Sequence, residues 1–179
     1  DEEVAVEAWQ QYLMRDKSVI VDLFQGQLKS TIRCLECGCT KTKFDPFMYL
    51  SVPIESHVHT SKGKRSGGQV SLTDCIGYFQ EEERLDGDNQ WYCPRCKEHR
   101  DAAKQMELYK VPEILIVHLR RFSVDSRGRP GPKRTDMVDF PTVGFNLSDF
   151  VQMNETPIYD LYAVSNHMGG LNGGHYTAY

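Results

Sequence analysis

Two Cys-x-x-Cys pairs, Cys34-Leu-Glu-Cys37 and Cys93-Pro-Arg-Cys96, constrain this chain more than any other feature of its sequence. Each pair fits a tight turn between strands and offers two thiolates there. Two such turns face to face make a tetrahedral set of four sulfurs, a donor set that suits Zn²⁺. A complete sulfur shell leaves no position for water, so the expected metal is structural and holds together an exposed pair of hairpins with little core. The two pairs lie further apart than in a compact zinc ribbon, so the chain between them must leave the site and return. Other uses of the thiols stay open on the residues alone. A redox dithiol is disfavoured because neither pair opens a helix in a βαβ pattern, and unused surface thiols are the third reading. Cys39 competes as a ligand, although two pairs already complete the shell. Cys75 reads as a small buried hydrophobe on a helix face.

A disulfide framework would need an oxidising compartment. The N-terminus, Asp1-Glu2-Glu3, lacks the charged-then-apolar order of a signal peptide, and no apolar run approaches the roughly 18 residues of a membrane span. The chain is therefore expected to be intracellular, in cytoplasm or nucleus, with no membrane partner. Without a secretory signal, the sequons at Asn146 and Asn154 read as chance matches. The 179 residues are 40% hydrophobic, which suits one domain with a real core, and the formal net charge is −4. That balance argues against a nucleic-acid partner. The basic groups Lys62, Lys64, Arg65 and Arg127 to Arg134 sit among Gly, Ser and Pro and read as solvated loops.

Periodicity predicts an α+β chain. Ala5, Ala8, Trp9, Tyr12 and Leu13 make a helical stripe. Ser18 caps a second short helix that buries Ile20, Leu23 and Phe24 and stops at Gly26. Alternation predicts strands running from Gln27 into Cys34, from Thr40 to Phe44, and from Met48 to Ile54. Residues 56 to 69 read as an exposed loop. Ser71 and Asp74 open a helix whose apolar face is Leu72, Cys75, Ile76 and Phe79. Ile114 to Leu119 reads as a buried strand, Ile158 to Val164 as another, and Met168 to Gly174 as a glycine-rich loop before a final strand at His175.

Of the six histidines, His57, His59 and His99 fall in polar loop sequence, and His118 reads as a satisfied core residue. His167 and His175 flank Met168-Gly-Gly-Leu-Asn-Gly-Gly174, a segment able to bring backbone very close to a ligand. A general base beside a narrow glycine-lined channel suits a cysteine protease whose substrate ends in Gly-Gly. A loop histidine with no function is the competing reading.

Tyr159-Asp-Leu-Tyr-Ala-Val-Ser-Asn-His167 with Gly173-Gly-His-Tyr-Thr-Ala-Tyr179 resembles the histidine box of the ubiquitin-specific proteases. Asp22-Leu-Phe-Gln-Gly-Gln-Leu28, Phe44-Asp-Pro-Phe47, Trp91-Tyr-Cys-Pro-Arg-Cys96 and Pro112-Glu-Ile-Leu-Ile-Val-His-Leu-Arg-Arg-Phe122 are similar to the same family in the same order. The matches run from about Trp9 to Tyr179. Leu72-Thr-Asp-Cys-Ile76 and Phe140-Pro to Phe150 look most like the members with DUSP and ubiquitin-like modules.

The resemblance implies a papain-like cysteine protease fold of thumb, palm and fingers, with most of the thumb outside this chain. Residues 1–26 would be a helical remnant of the thumb, 27–55 and 70–110 the fingers with their zinc ribbon, and 111–179 the palm with the histidine box. The implied activity is thiol-dependent hydrolysis after the C-terminal glycine of ubiquitin, so the partners would be ubiquitin and ubiquitinated proteins. His175 matches the family's general base, and His167 matches a position near the cleft and is its main rival. Gly173, Gly174 and Tyr176 would meet the substrate. No Gly-Asn-Thr-Cys-like segment occurs, so the nucleophile and the oxyanion-hole Asn are expected elsewhere in a longer polypeptide, as is the Asp or Asn that orients the histidine. These residues alone are expected to be inactive. A non-catalytic ubiquitin-binding or scaffold module is the alternative, and a zinc ribbon for nucleic acid a third reading that the acidic balance opposes.

Overall fold

The computed structural model describes residues 2–54, 70–124, 128–153 and 156–179. The expected loop at 56–69, with its basic cluster and with His57 and His59, lies outside them, as do Arg127 and Asn154. The described chain is mixed α+β, dominated by strands, and divides into two compact units.

The first unit comprises residues 1–50, 79–116 and 149–155. It opens with helix α1, Glu2–Leu13, which fully buries only Ala5 and leaves Ala8, Trp9, Tyr12 and Leu13 half-covered. Helix α2, Val19–Phe24, begins where Ser18 Oγ accepts a hydrogen bond from the Val21 amide at 3.3 Å. Its buried residue is Val21, whereas Ile20, expected inside, is 48% exposed. With six residues, α2 turns a single narrow face inward, so a one-residue error in phase exchanges a buried side chain for a solvated one. Gly26 does not stop this helix in a left-handed conformation. Gln25 ends it in extended geometry, and Gly26 is already the first residue of a strand. Glycine is needed there for space, because a Cβ would sit 2.5 Å from both the Lys110 carbonyl oxygen and the Phe47 ring.

That strand, Gly26–Cys34, lies between Thr40–Phe47 and Ala102–Lys110 in a four-stranded antiparallel sheet completed by Glu83–Leu85. Phe44, Phe47, Ala102, Ala103 and Leu108 are buried. At the far end of the sheet Trp91–Cys93 pairs with Glu98–Arg100 as a short hairpin.

The second unit comprises residues 51–78, 117–148 and 156–179. Ser71 opens helix α3, Leu72–Phe79, through a reciprocal cap. The Asp74 amide donates to Ser71 Oγ at 3.0 Å, and the Ser71 amide donates to Asp74 Oδ2 at 3.2 Å. Cys75 and Ile76 are buried on its inner face with Val52, Ile54, Val70, Val138, Phe145 and Leu147.

Four expectations fail in this unit or at its boundary. The apolar run Ile114–Leu119 is a strand only over Val117–Arg120, and it alternates between half-buried and exposed. Its sole strand partner among the described residues is Leu50–Pro53, and a two-stranded ribbon cannot cover both faces. His118 is consequently exposed, bonded to Ser51 Oγ through Nδ1 at 3.0 Å, rather than a core residue. The strand expected over Ile158 to Val164 is limited to Ile158–Tyr159, after which Asp160 Oδ1 accepts the Gly144 amide at 2.8 Å. The segment Met168 to Gly174 is not a loop. It forms most of a hairpin, Ser165–Gly170 against Gly173–Ala178, turning through Leu171 and Asn172 alone.

Candidate functional site

Two side-chain clusters carry chemistry, one in each unit. In the first, Cys34 ends the central strand of the sheet and Cys93 ends the short strand Trp91–Cys93. Each begins a turn of the same design. The Gly38 amide donates to the Cys34 carbonyl at 3.0 Å, and the Lys97 amide donates to the Cys93 carbonyl at 2.8 Å. Both Gly38 and Lys97 then take positive φ, +69° and +60°. These closures turn Cys37 and Cys96 back beside Cys34 and Cys93, and the four sulfurs lie within 4.8 Å of one another. Cys37 Sγ and Cys93 Sγ are 3.5 Å apart. Tetrahedral coordination at a Zn–S distance of about 2.3 Å needs sulfurs about 3.8 Å apart, so the set fits a zinc ion with little adjustment.

The electrostatics of Cys93 and Cys96 match that use. Burial alone would push the Cys93 thiol up, but the Cys96 and Arg95 amides and the neighbouring thiols of Cys37 and Cys34 hydrogen-bond its sulfur and bring it down to about 6. Cys96, donating to Cys37 and losing solvent, is pushed up to about 12. Opposite shifts in two neighbouring thiols are what a closely packed set of sulfurs sharing protons produces. Cys39 is outside the set. Burial first, and then the charges of Cys93 and Cys37, raise its thiol. Cys75 is also raised, by burial and by Asp74, and is 1% exposed, as a small core residue should be.

The second cluster is the hairpin. Its register pairs His167 with Tyr176 and Met168 with His175. Cross-strand partners share a face and successive residues alternate. His167 and Tyr176 therefore project from one side of the hairpin, and Met168 and His175 from the other.

On the first side the His167 ring lies 4.6 Å from the Tyr176 ring and 6.0 Å from that of Phe122. Lys133, at the end of the strand Pro130–Lys133, places its ammonium 3.1 Å from His167 Nδ1 and 2.6 Å from the His167 carbonyl oxygen. A Cβ on Gly174 would collide with His167 Nε2 and the Met168 carbonyl.

The second side is open. His175 is exposed and its ring makes no hydrogen bond among the described residues. Around Gly170 and Gly173 an added Cβ would meet nothing within 4 Å. The two histidines singled out in the sequence thus share a hairpin but face opposite ways. Gly173, Gly174 and Tyr176 lie on the strand of His175, with Tyr176 turned to the other face. Lys133 was missed. It lies in a run of Gly, Pro and basic residues that reads as solvated loop, and no local signal ties it to a histidine 34 positions away.

A family model described as ubiquitin carboxyl-terminal hydrolase matches residues 2–179. The chain is 43% identical over 180 residues to ubiquitin carboxyl-terminal hydrolase 2 of Gallus gallus, which covers all of this chain and 48% of that protein. It is 44% identical to the Homo sapiens hydrolase 2, covering all of this chain and 28% of the relative. It is 42% identical to the Homo sapiens hydrolase 21, covering 99% of this chain and 30% of the relative. The chain therefore spans about half or less of the length of these relatives. Among solved structures, a yeast SAGA DUBm with an Sgf73 mutant superposes with a TM-score of 0.73 at 29% identity, over 96% of this chain and 36% of that one. The SAGA Ubp8/Sgf11/Sus1/Sgf73 DUB module bound to ubiquitin aldehyde gives 0.68 at 28% identity, over 99% and 39%.

Proposed function

Since the chain belongs to the ubiquitin carboxyl-terminal hydrolase family, we propose that it is part of a cysteine-type deubiquitinase that cleaves the bond after the C-terminal glycine of ubiquitin. The observation that carries the catalytic assignment is the alternation of the hairpin. Of its two imidazoles, only that of His175 faces open space, beside glycine backbone with room for an extended Gly-Gly tail.

In this reading His175 is the general base. It takes the proton of a cysteine thiol, and the resulting thiolate attacks the carbonyl carbon of ubiquitin's last glycine. The tetrahedral intermediate collapses as the imidazolium returns the proton to the leaving amine. A water, deprotonated by His175, then opens the thioester and restores the thiol. The backbone of Gly173 and Gly174 borders the tail, and Tyr176, on the opposite face, serves the site by packing against His167. His167 has a secondary role, developed below.

The nucleophile is assigned to a cysteine outside these 179 residues. Four of the six thiols make up the clustered set, Cys75 is buried, and burial beside that set raises Cys39, the opposite of what an attacking thiol needs. The clustered thiols would hold a structural Zn²⁺ that supplies cross-linking and no chemistry. The proposed subdivision follows the family: thumb remnant 1–26, fingers 27–55 and 70–110, palm 111–179. Ubiquitin and ubiquitinated proteins are the proposed partners. Six free thiols suit a reducing compartment, hence action in cytoplasm or nucleus.

The test is release of a fluorogenic amine from the C-terminus of ubiquitin by the whole polypeptide that contains these residues. The parent should turn over, and His175→Ala should lower kcat by about 10²- to 10⁴-fold. A parent that binds ubiquitin and never cleaves it would instead make this a binding module.

A further inference from the structure

The His167 ring is held more closely than an exposed hairpin requires. It is flanked by Tyr176 at 4.6 Å and Phe122 at 6.0 Å, and its Nε2 edge abuts Gly174. The fourth constraint is Lys133. This half-buried ammonium reaches both the ring and the main chain of one residue, Nδ1 at 3.1 Å and the carbonyl oxygen at 2.6 Å, while lying 5.9 Å from the centre of the Phe122 ring.

An ammonium group only donates, so Nδ1 must accept, and a neutral imidazole then carries its single hydrogen on Nε2. His167 is left with no uncommitted lone pair: one nitrogen is occupied by Lys133 and the other bears hydrogen. The carbonyl contact ties the backbone of the strand Ser165–Gly170 to the strand Pro130–Lys133, directly across from the strand that carries His175.

Resting on the reading of His175 as general base, we propose that Lys133 is a positioning residue of the reaction. It clamps His167 on the inner face of the hairpin, sets it as an Nε2–H donor, and thereby fixes the strand that presents His175. Lys133 touches neither substrate nor thiol. It acts by removing His167 as a second base and by holding the hairpin at one inclination, which matters because proton transfer tolerates little misplacement.

The test uses the whole polypeptide, the fluorogenic ubiquitin substrate, and ¹⁵N-histidine NMR. In the unmodified protein His167 should show hydrogen on Nε2 and a bare, hydrogen-bonded Nδ1. Lys133→Met should lower kcat about 10- to 100-fold while KM stays within about twofold, and should turn the His167 signals into a mixture of tautomers. Lys133→Arg, which keeps two N–H donors and the charge, should recover most of the lost kcat and the original spectrum.

A Lys133→Met protein that melts normally with kcat within about twofold of the parent overturns the proposal. So does a fall in kcat with an unchanged His167 spectrum, which would be a structural effect alone. If Lys133→Met does not fold, the parent spectrum decides, because hydrogen on Nδ1 rules the clamp out. Turnover that survives His175→Ala strikes at the base assignment instead, whatever Lys133→Met does, so the two failures are separable.

Discussion

Lys97 and Gly38 hold equivalent places, each just after the second cysteine of its turn and each at positive φ, but only one of them is glycine. A side chain with a Cβ in the left-handed region costs roughly 1–2 kcal/mol, and glycine gives back about 0.5–1 kcal/mol of that in unfolded-chain entropy. Lys97→Gly is therefore expected to raise the unfolding free energy by about 0.5–1 kcal/mol in urea denaturation. Gly38→Ala, with nothing within 4 Å of the new Cβ, should lower it by about 1 kcal/mol through the backbone alone. The sequence shows that the two turns are related, but not that Lys97 is strained, because Cys-x-x-Cys spacing fixes where the sulfurs go and leaves the sign of the next φ open. Gly26 was legible as a necessary glycine for the wrong reason. Its crowding by Phe47 and the Lys110 carbonyl depends on two strands that are distant in sequence.

Among the elements, those whose causes are local could be read in advance. The Ser71–Asp74 cap needs only its own four residues, and helix α3 starts where it was expected. Ser71→Ala should cost about 1 kcal/mol, measured by thermal melting of the whole chain. The strand Gly26–Cys34 also announced itself, through the alternation of Leu28, Ser30 and Ile32 with Lys29, Thr31 and Arg33. Ile114–Leu119 misled because a run of apolar residues reports composition, whereas burial depends on how many neighbours the strand finds. The clustered thiols make a further prediction for the metal-free protein. Cys93 is lowered from 9.0 to about 6, so between those values the unfolded chain binds the extra proton and stability falls as pH falls. Cys96 is raised from 9.0 to about 12, so its contribution is lost as pH rises through that range. In chelator, melting temperature should peak near pH 9, where neither penalty operates. A flat profile by scanning calorimetry would contradict these proton affinities.

For the whole molecule, the two turns that bring the thiols together are separated by an excursion that runs through both compact units. The sequence already required that excursion, and the relatives and solved structures agree with the family it pointed to. What it could not convey is the division of the hairpin into two faces, because glycine at four of its positions erases the hydrophobic alternation that normally marks a strand. Residues 1–179 produced alone should take up one equivalent of zinc with loss of thiol titre. They should give no turnover of the fluorogenic ubiquitin substrate, and His175-dependent hydrolysis by them would refute the assignment of the nucleophile elsewhere.

The pairing of Met168 with His175 has a consequence for how this segment can vary. What selects the outward imidazole is the count of residues along its own strand from Gly174, whose side direction faces His167: at one residue's remove, His175 points the other way. Residues added at Leu171 or Asn172 lengthen the turn and leave that count intact. A single residue added between Gly174 and His175 would move the imidazole to the side already filled by His167 and Phe122 and put the added residue outside in its place. The hairpin is in this sense indifferent to length at its tip and bound to parity along its second strand.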